Sequence, residues 1–250
     1  MAEAAARALD GIDTAPAFDV AGVATIDAQF GALETSEMLR QLLRSNLQGR
    51  IALVSSFGAE SAVLLHLIST IDRDVPLIFV NTQKMFGDTL AYRDELAERL
   101  GFTDLRVVRP DPYGLAQHDA TGLRWSYDPN GCCELRKVEP LRRGLAGFDA
   151  WISGRKSFQL GRAALSRFEL DEGRLKVNPL AGWSKADLDA YFAANELPRH
   201  PLESQEYRSI GCSPCTSKVR PGEDPRAGRW RGWDKFECGI HIDPADDPIF

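Results

Sequence analysis

The 250-residue sequence has no excess of basic charge, no long uninterrupted apolar run, no secretory leader and no internal repeat. Thirty Lys and Arg against 36 Asp and Glu leave a formal net charge of −6 at pH 7. A general nucleic-acid binder carries a basic field, so that class is disfavoured, although a local basic patch can still hold a small anion. The longest apolar stretch, Ile51 to Ile71, is broken by Glu60, His66 and several serines. It falls short of the roughly 20 apolar residues that a membrane span requires. The first residues, MAEAAARALDGID, lack the basic start and apolar core of a signal peptide, so a cytoplasmic location is expected. There the five cysteines stay reduced and disulfide stapling is not expected. What is present is ordinary for a folded chain: 44% hydrophobic and 26% charged residues, which excludes disorder and supplies one large domain or two small ones with a core.

Hydrophobic periodicity orders the chain. Residues 1–25 read as a loosely held leader, 26–242 as a single domain and 243–250 as a mobile acidic tail with two prolines. Helical spacing of Phe30, Leu33, Met38, Leu39, Leu42 and Leu43 predicts one or two helices between Ile26 and Leu47. Ile51–Val54 reads as a buried strand that breaks into Ser55–Ser61 and restarts as a helix carrying Leu64, Leu67, Ile68 and Ile71. Leu77–Val80 is a second strand, followed by a helix with Asp88 as expected N-cap and Gly101 as terminator. Leu105–Val108 and Ala150–Ser153 are further strands, and Ser184 with Asp187 predicts a capping box. Strands alternating with helices imply an α/β fold with a parallel sheet flanked by helices. Beyond Pro198 the chain is rich in Pro, Gly, Arg and Cys and weakly periodic, an irregular segment of the kind that builds a site rather than a core.

The cysteines fall as Cys132–Cys133, Cys212-x-x-Cys215 and Cys238 alone. Four thiolates can hold zinc or an iron–sulfur cluster. Two thiolates on one zinc must lie within about 4 Å of each other, whereas adjacent side chains diverge in strand and helix alike. Cluster ligands sit on separate irons, so the vicinal pair suits a cluster better than one zinc ion. The plain alternative is a set of buried structural thiols. Cys238 has no cysteine partner and stands near Arg226, Arg229, Arg231, Lys235 and His241, which could hold it as a reactive thiolate, while Glu237 opposes that effect. A leftover structural thiol is the competing reading.

Anion-binding features lie elsewhere. Ser55-Ser56-x-Gly58-x-x-Ser61 joins a strand to a helix and can present backbone N–H groups to an anion, without the spacing of a Walker or Rossmann loop. Gly154–Arg155–Lys156 with Arg162, and Arg226-Ala-Gly-Arg229, are basic clusters suited to phosphate or sulfate oxygens. Each alone would pass for solvated surface charge. Lys137, four residues after the vicinal pair, would stand near both a cluster and an adjoining anion.

Taken together, SSFGAES at 55–61, CCELRKVEPL at 132–141, SGRKSFQLGR at 153–162, GRLKVNPLAGW at 173–183, IGCSPCT at 210–216, RAGRW at 226–230 and ECGIH at 237–241 resemble the assimilatory adenylyl-sulfate/phosphoadenylyl-sulfate reductase family, in its iron–sulfur-containing branch. The resemblance implies an adenine-nucleotide α-hydrolase-like fold related to the ATP pyrophosphatases. It implies a [4Fe–4S] cluster on Cys132, Cys133, Cys212 and Cys215, with Cys238 as the nucleophile. Lys137, Arg226, Arg229 and His241 would line a phosphosulfate site, with Lys137 and His241 as catalytic groups. Ser55, Ser56, Gly58 and Ser61, with Gly154, Arg155 and Arg162, would hold the nucleotide. The implied reaction reduces adenosine 5′-phosphosulfate to sulfite and AMP with thioredoxin or a similar dithiol protein, and it needs neither nucleic acid nor membrane; a homo-oligomer is left open. The chain departs from the family pattern at Asn81–Thr82–Gln83–Lys84 and at GRKSFQLGR, which stands in place of the more usual double-arginine form. The competing readings are reduction of the 3′-phosphorylated nucleotide, a tRNA sulfur-transfer enzyme, and a non-catalytic iron–sulfur or zinc module.

Overall fold

Side chains along each central strand alternate between two cores, and that alternation decides the layers. A computed structural model describes residues 17–159, 165–235 and 237–241. In chain order the elements are α1 (Val20–Phe30), α2 (Thr35–Leu43), β1 (Ile51–Val54), α3 (Ser61–Ser69), β2 (Leu77–Val80), α4 (Gly87–Leu100) and β3 (Leu105–Val108). There follow α5 (Pro112–His118), α6 (Pro129–Cys133), a π-helical turn (Glu134–Val138), α7 (Glu139–Gly144), β4 (Ala150–Ile152), β5 (Phe168–Asp171), β6 (Arg174–Val177) and α8 (Lys185–Ala194). Ile51 and Leu53 of β1, Leu77 and Phe79 of β2, and Ala150 and Ile152 of β4 point into the larger core. That core is filled from the helices by residues such as Leu39, Leu65, Leu96 and Leu188. Ala52, Ile78 and Trp151 face the other side, where Leu141, Leu145, Phe148 and the partly buried Ile240 cover them. Period-two alternation thus gives an α/β sheet buried on both faces.

The six strands run in the order β3-β2-β1-β4-β6-β5. All neighbours are parallel except β5 against β6. The chain moves outward from β1 through β2 to β3, then crosses back to lay β4 on the other side of β1. The crevice beyond the carboxyl ends of β1 and β4 is therefore a topological switch point, the place where open α/β sheets bind ligands.

Several expectations need correcting. The leader is shorter than residues 1–25: α1 begins at Val20, Asp19 caps it by accepting from Gly22 N–H, and the Phe18 N–H bonds the Gly173 carbonyl at 3.0 Å. Phe18, Val23 and Ile26 pack on the large core, which is why this segment is held. Asp88 is not the N-cap of α4; Phe86 occupies that position and Asp88 sits in the first turn, where its charge complements the helix dipole. Gly101 does terminate the helix, in the left-handed conformation. β5 and β6 form a hairpin about Glu172 and Gly173, both at positive φ. The vicinal cysteines lie at the end of a helix. The residues from Pro129 to Gly144 run on as a helix whose middle is π-helical, the Glu139 N–H reaching back to the Glu134 carbonyl. Pro140 supplies the cause, since it has no N–H to give and its ring crowds the carbonyl four residues back. Residues 1–16, the 243–250 tail and Arg162 lie outside the described residues.

Candidate active site

A cavity of about 780 Å³ opens at the switch point. Its floor is the end of β1 and the loop that follows. Phe57 adopts a positive φ of 50°, its ring is buried edge-on against Phe79, and its N–H bonds the Ser55 hydroxyl at 3.1 Å. Anchoring Phe57 inward turns Ser55, Ser56, Gly58 and Ser61 toward the cavity, beside the N-terminus of α3. A strand-to-helix loop of this kind offers backbone donors and a positive dipole end to an anion. Across from it, Ser153, Gly154, Arg155 and Lys156 leave β4 and form a second wall. The 6%-exposed Lys156 ammonium bonds Glu60 at 2.9 Å, and the Gln159 amide donates to the same carboxylate oxygen at 2.9 Å. Arg155 is held by Glu169 at 2.6 Å.

Lys137, Arg226, Arg229, Cys238 and His241 line the other end of the same cavity. Every expected catalytic and nucleotide-site residue except Arg162, which is not described, is thereby brought to one space. Cys238 is partly buried, and Gly239 after it turns at φ +89°, close enough to Val138 that an added Cβ would meet its Cγ2 at 3.3 Å. Ile240 packs on the smaller core and His241 stacks on Trp151, ring centroids 5.9 Å apart and nearly parallel. Burial pushes the Cys238 thiol up, Lys137 draws it down and Glu237 pushes it up again. Burial alone would discharge Lys137, but the charges of Cys212, Cys238 and Cys133 outweigh it and raise the ammonium above its ordinary value.

Cys132, Cys133, Cys212 and Cys215 line one small pocket beside the cavity, together with Arg136, Lys137 and Trp125. Two local devices bring them there. Asp128 caps α6 by accepting from Gly131 N–H at 2.8 Å, and Cys215 N–H closes a tight turn onto the Cys212 carbonyl at 3.0 Å. Arg136, buried and forked onto Asp119 at 2.6 and 2.8 Å, also donates to the Thr82 carbonyl. The Thr82 hydroxyl lies 3.2 Å from Cys212 Sγ, so the Asn81–Lys84 segment meets the cysteine pocket directly. Burial lifts Cys132 to about 12 and Cys215 to about 11, with neighbouring cysteines adding to both. Among the described residues no three His, Cys, Asp or Glu side chains close on one point as a single-ion site needs. Four cysteines lining one pocket are a donor set that could hold a metal centre. Lys137 and Cys212 line both pocket and cavity and so join the two.

Sequence reasoning passed over Trp151, Trp230 and Glu60, and read Glu237 only as a charge opposing the thiolate. Trp151 forms the platform under His241. Trp230, 3% exposed and at a positive φ of 46°, lies under the Arg229 guanidinium at 4.3 Å with Arg226 at 5.9 Å. Glu60 and Glu237 bring negative charge into a basic cavity. Tryptophan inside RAGRW was the available signal for Trp230, but the residue type does not announce a partner. Arg229 is aimed by Gly211, where an added Cβ would meet the guanidinium at 2.4 Å, and by the bridge between Thr216 and Arg229. A thiol set among cations beside an anion-binding loop is equipped to attack an anionic electrophile.

The phosphoadenosine phosphosulfate reductase domain family matches residues 50–218. The chain is 48% identical over 237 residues to an adenosine 5′-phosphosulfate reductase of Mesorhizobium japonicum, covering 94% of this chain and 93% of that one. It is 39% identical over 199 residues to a phosphoadenosine 5′-phosphosulfate reductase of Gloeobacter violaceus, covering 77% of this chain and 82% of that one. Among solved structures, a phosphoadenylyl-sulfate reductase from Candida auris in a phosphate complex superposes with a TM-score of 0.67 at 26% identity, covering 82% of this chain and all of that one. A Candida glabrata FMN adenylyltransferase shares the fold at a TM-score of 0.52 and 14% identity, covering 89% of this chain and 75% of that one.

Proposed function

Since the chain belongs to the phosphoadenosine phosphosulfate reductase family, an oxidoreductase family acting on a sulfur group, we propose that it reduces adenosine 5′-phosphosulfate to sulfite and AMP, in sulfate assimilation, through a covalent intermediate on Cys238. The observation that carries this reading is that Cys238 shares one cavity with the β1 and β4 loops and with Lys137, Arg226 and Arg229.

The Ser55–Ser61 loop and the wall from Gly154 hold the nucleotide. Arg226, Arg229, Lys137 and His241 surround the phosphosulfate. Cys238 thiolate attacks the sulfur; the bond from that sulfur to the bridging oxygen breaks, and AMP leaves with the oxygen, giving an enzyme S-sulfonate. Bringing a thiolate to an anion is repulsive, and the cations offset that charge and steady the leaving phosphate. A thiolate of thioredoxin or a similar dithiol protein then attacks Cys238 Sγ. Sulfite departs with the electron pair of the sulfur–sulfur bond, and the partner's second thiol resolves the mixed disulfide. The dithiol is oxidised and the sulfate sulfur reduced, so the electrons balance. Cys132, Cys133, Cys212 and Cys215 would hold a [4Fe–4S] cluster, which would supply fixed charge beside Lys137 and tie the helix end at Cys132–Cys133 to the Cys212–Cys215 turn. Protein prepared without air and given thioredoxin should form sulfite and AMP from adenosine 5′-phosphosulfate, at least about tenfold more efficiently than from the 3′-phosphorylated nucleotide. The reverse preference would overturn the substrate assignment.

Gly211 offers a smaller test of how the cations are aimed. Gly211→Ala drives a methyl group into the Arg229 guanidinium, the movable end of a flexible side chain. Sulfite formation should fall by about 10- to 100-fold, the cost of misplacing one charged donor. The midpoint of thermal unfolding should move little, and steady-state kinetics alongside a melting curve separates the two effects.

A further inference from the structure

Glu237 places a carboxylate directly beside the thiol, and its placement is odd for a reductase acting on an anion. It is 7% exposed, lines the cavity and repels both a thiolate and a phosphosulfate. If only a cap for a backbone donor were needed, a neutral amide would serve. Its two oxygens, however, are separately engaged. Oε1 accepts from the Cys238 N–H at 2.8 Å, and Oε2 lies 3.7 Å from the Arg226 guanidinium. Arg226 in turn is steadied over the Trp230 ring. A backbone donor next to the nucleophile and a guanidinium in the same cavity are the groups that bind phosphate and sulfate oxygens.

We propose that Glu237 is an internal stand-in for the anionic end of the substrate: without substrate its carboxylate holds the Cys238 N–H and Arg226, and the phosphosulfate must displace it to take both donors. The inference rests on the substrate reading above. It assigns Glu237 a positioning role, because it acts through Arg226 and the backbone of Cys238. A buried carboxylate is itself costly without partners, and here the Cys238 N–H and Arg226 supply them until an anion arrives. A site whose donors are occupied most of the time binds its ligand less tightly by the fraction that is free.

The test measures binding without turnover, by calorimetry on the Cys238→Ser protein, which keeps the N–H of residue 238. Adding Glu237→Gln should tighten adenosine 5′-phosphosulfate about 3- to 10-fold. Glu237→Asp, which retains the charge, should bind as the parent does. In an Arg226→Ala background the Gln substitution should tighten binding less than it does in the parent, because one of the two contested donors is gone and only the Cys238 N–H remains. Adenosine, lacking the anion, should bind all variants equally. Equal or weaker phosphosulfate binding by the Gln variant would overturn the proposal, as would tightening that extends to adenosine. If the Cys238→Ser protein binds no phosphosulfate at all, the substrate assignment falls first and this inference with it.

Discussion

Replacing Cys238 with serine stops sulfite formation, by about 10⁴-fold or more, while the nucleotide still binds. The size of the loss follows from covalent catalysis. A hydroxyl in place of the thiol is a weaker nucleophile, and it offers no sulfur on which a dithiol can later displace sulfite. The rest of the site should be undisturbed. Cys238 is held by the Gly239 turn, the seating of Ile240 on the smaller core and the His241–Trp151 stack, none of which involves the thiol. Equilibrium binding of adenosine 5′-phosphosulfate and iron content, measured beside the sulfite assay, separate loss of the nucleophile from loss of the fold. Both should match the unsubstituted protein.

Cys212→Ala should act by the opposite route, with iron and sulfide lost and sulfite formation reduced by about 100-fold or more, although Cys238 is intact. Cys212 is buried, meets the Thr82 hydroxyl at 3.2 Å and lines both the cysteine pocket and the nucleotide cavity. Removing its sulfur takes away one of the four proposed cluster ligands. It also removes a negative neighbour of Lys137, the cation that stands against Cys238. Iron, sulfide and zinc analysis of protein prepared without air reads this directly. A colourless, zinc-loaded parent protein, or a Cys212→Ala protein with full activity, would contradict the cluster proposal.

The sheet was legible because its central strands are short apolar runs separated by helical periodicity: Ile51–Val54, Leu77–Val80 and Leu105–Val108 appear where the pattern puts them. The capping box at Ser184 and Asp187 forms as read, since both halves lie within four residues. The β5–β6 hairpin was legible but passed over: Phe168–Asp171 and Arg174–Val177 alternate apolar with charged residues on either side of Glu172–Gly173, which is a hairpin pattern; the burial of Lys176 over the Trp151 ring was not legible. The π-helical turn escaped because it depends on where the carbonyl four residues before Pro140 is pushed, a tertiary accommodation rather than a pattern. In the site, spacing marked the cysteines and the basic clusters. Trp151 was invisible because its partner His241 is far away in sequence, and Trp230 because a tryptophan beside arginines does not announce that it lies under them; Glu237 was read only as a charge opposing the thiolate, and its bond to the Cys238 N–H was not legible. Asp88 shows the limit of local rules: a good capping residue stands two positions too late, and Phe86 caps without any side-chain bond.

In the proposed reaction the sulfur of Cys238 bonds to the sulfate sulfur before any reductant arrives. Protein mixed with adenosine 5′-phosphosulfate and no dithiol, then digested and weighed by mass spectrometry, tests it most directly. One sulfonate should be found on the peptide carrying Cys238, with an equal amount of AMP in solution, and thioredoxin should release it as sulfite. AMP and sulfite appearing while Cys238 stays unmodified, or the sulfonate residing on another cysteine, would contradict the account.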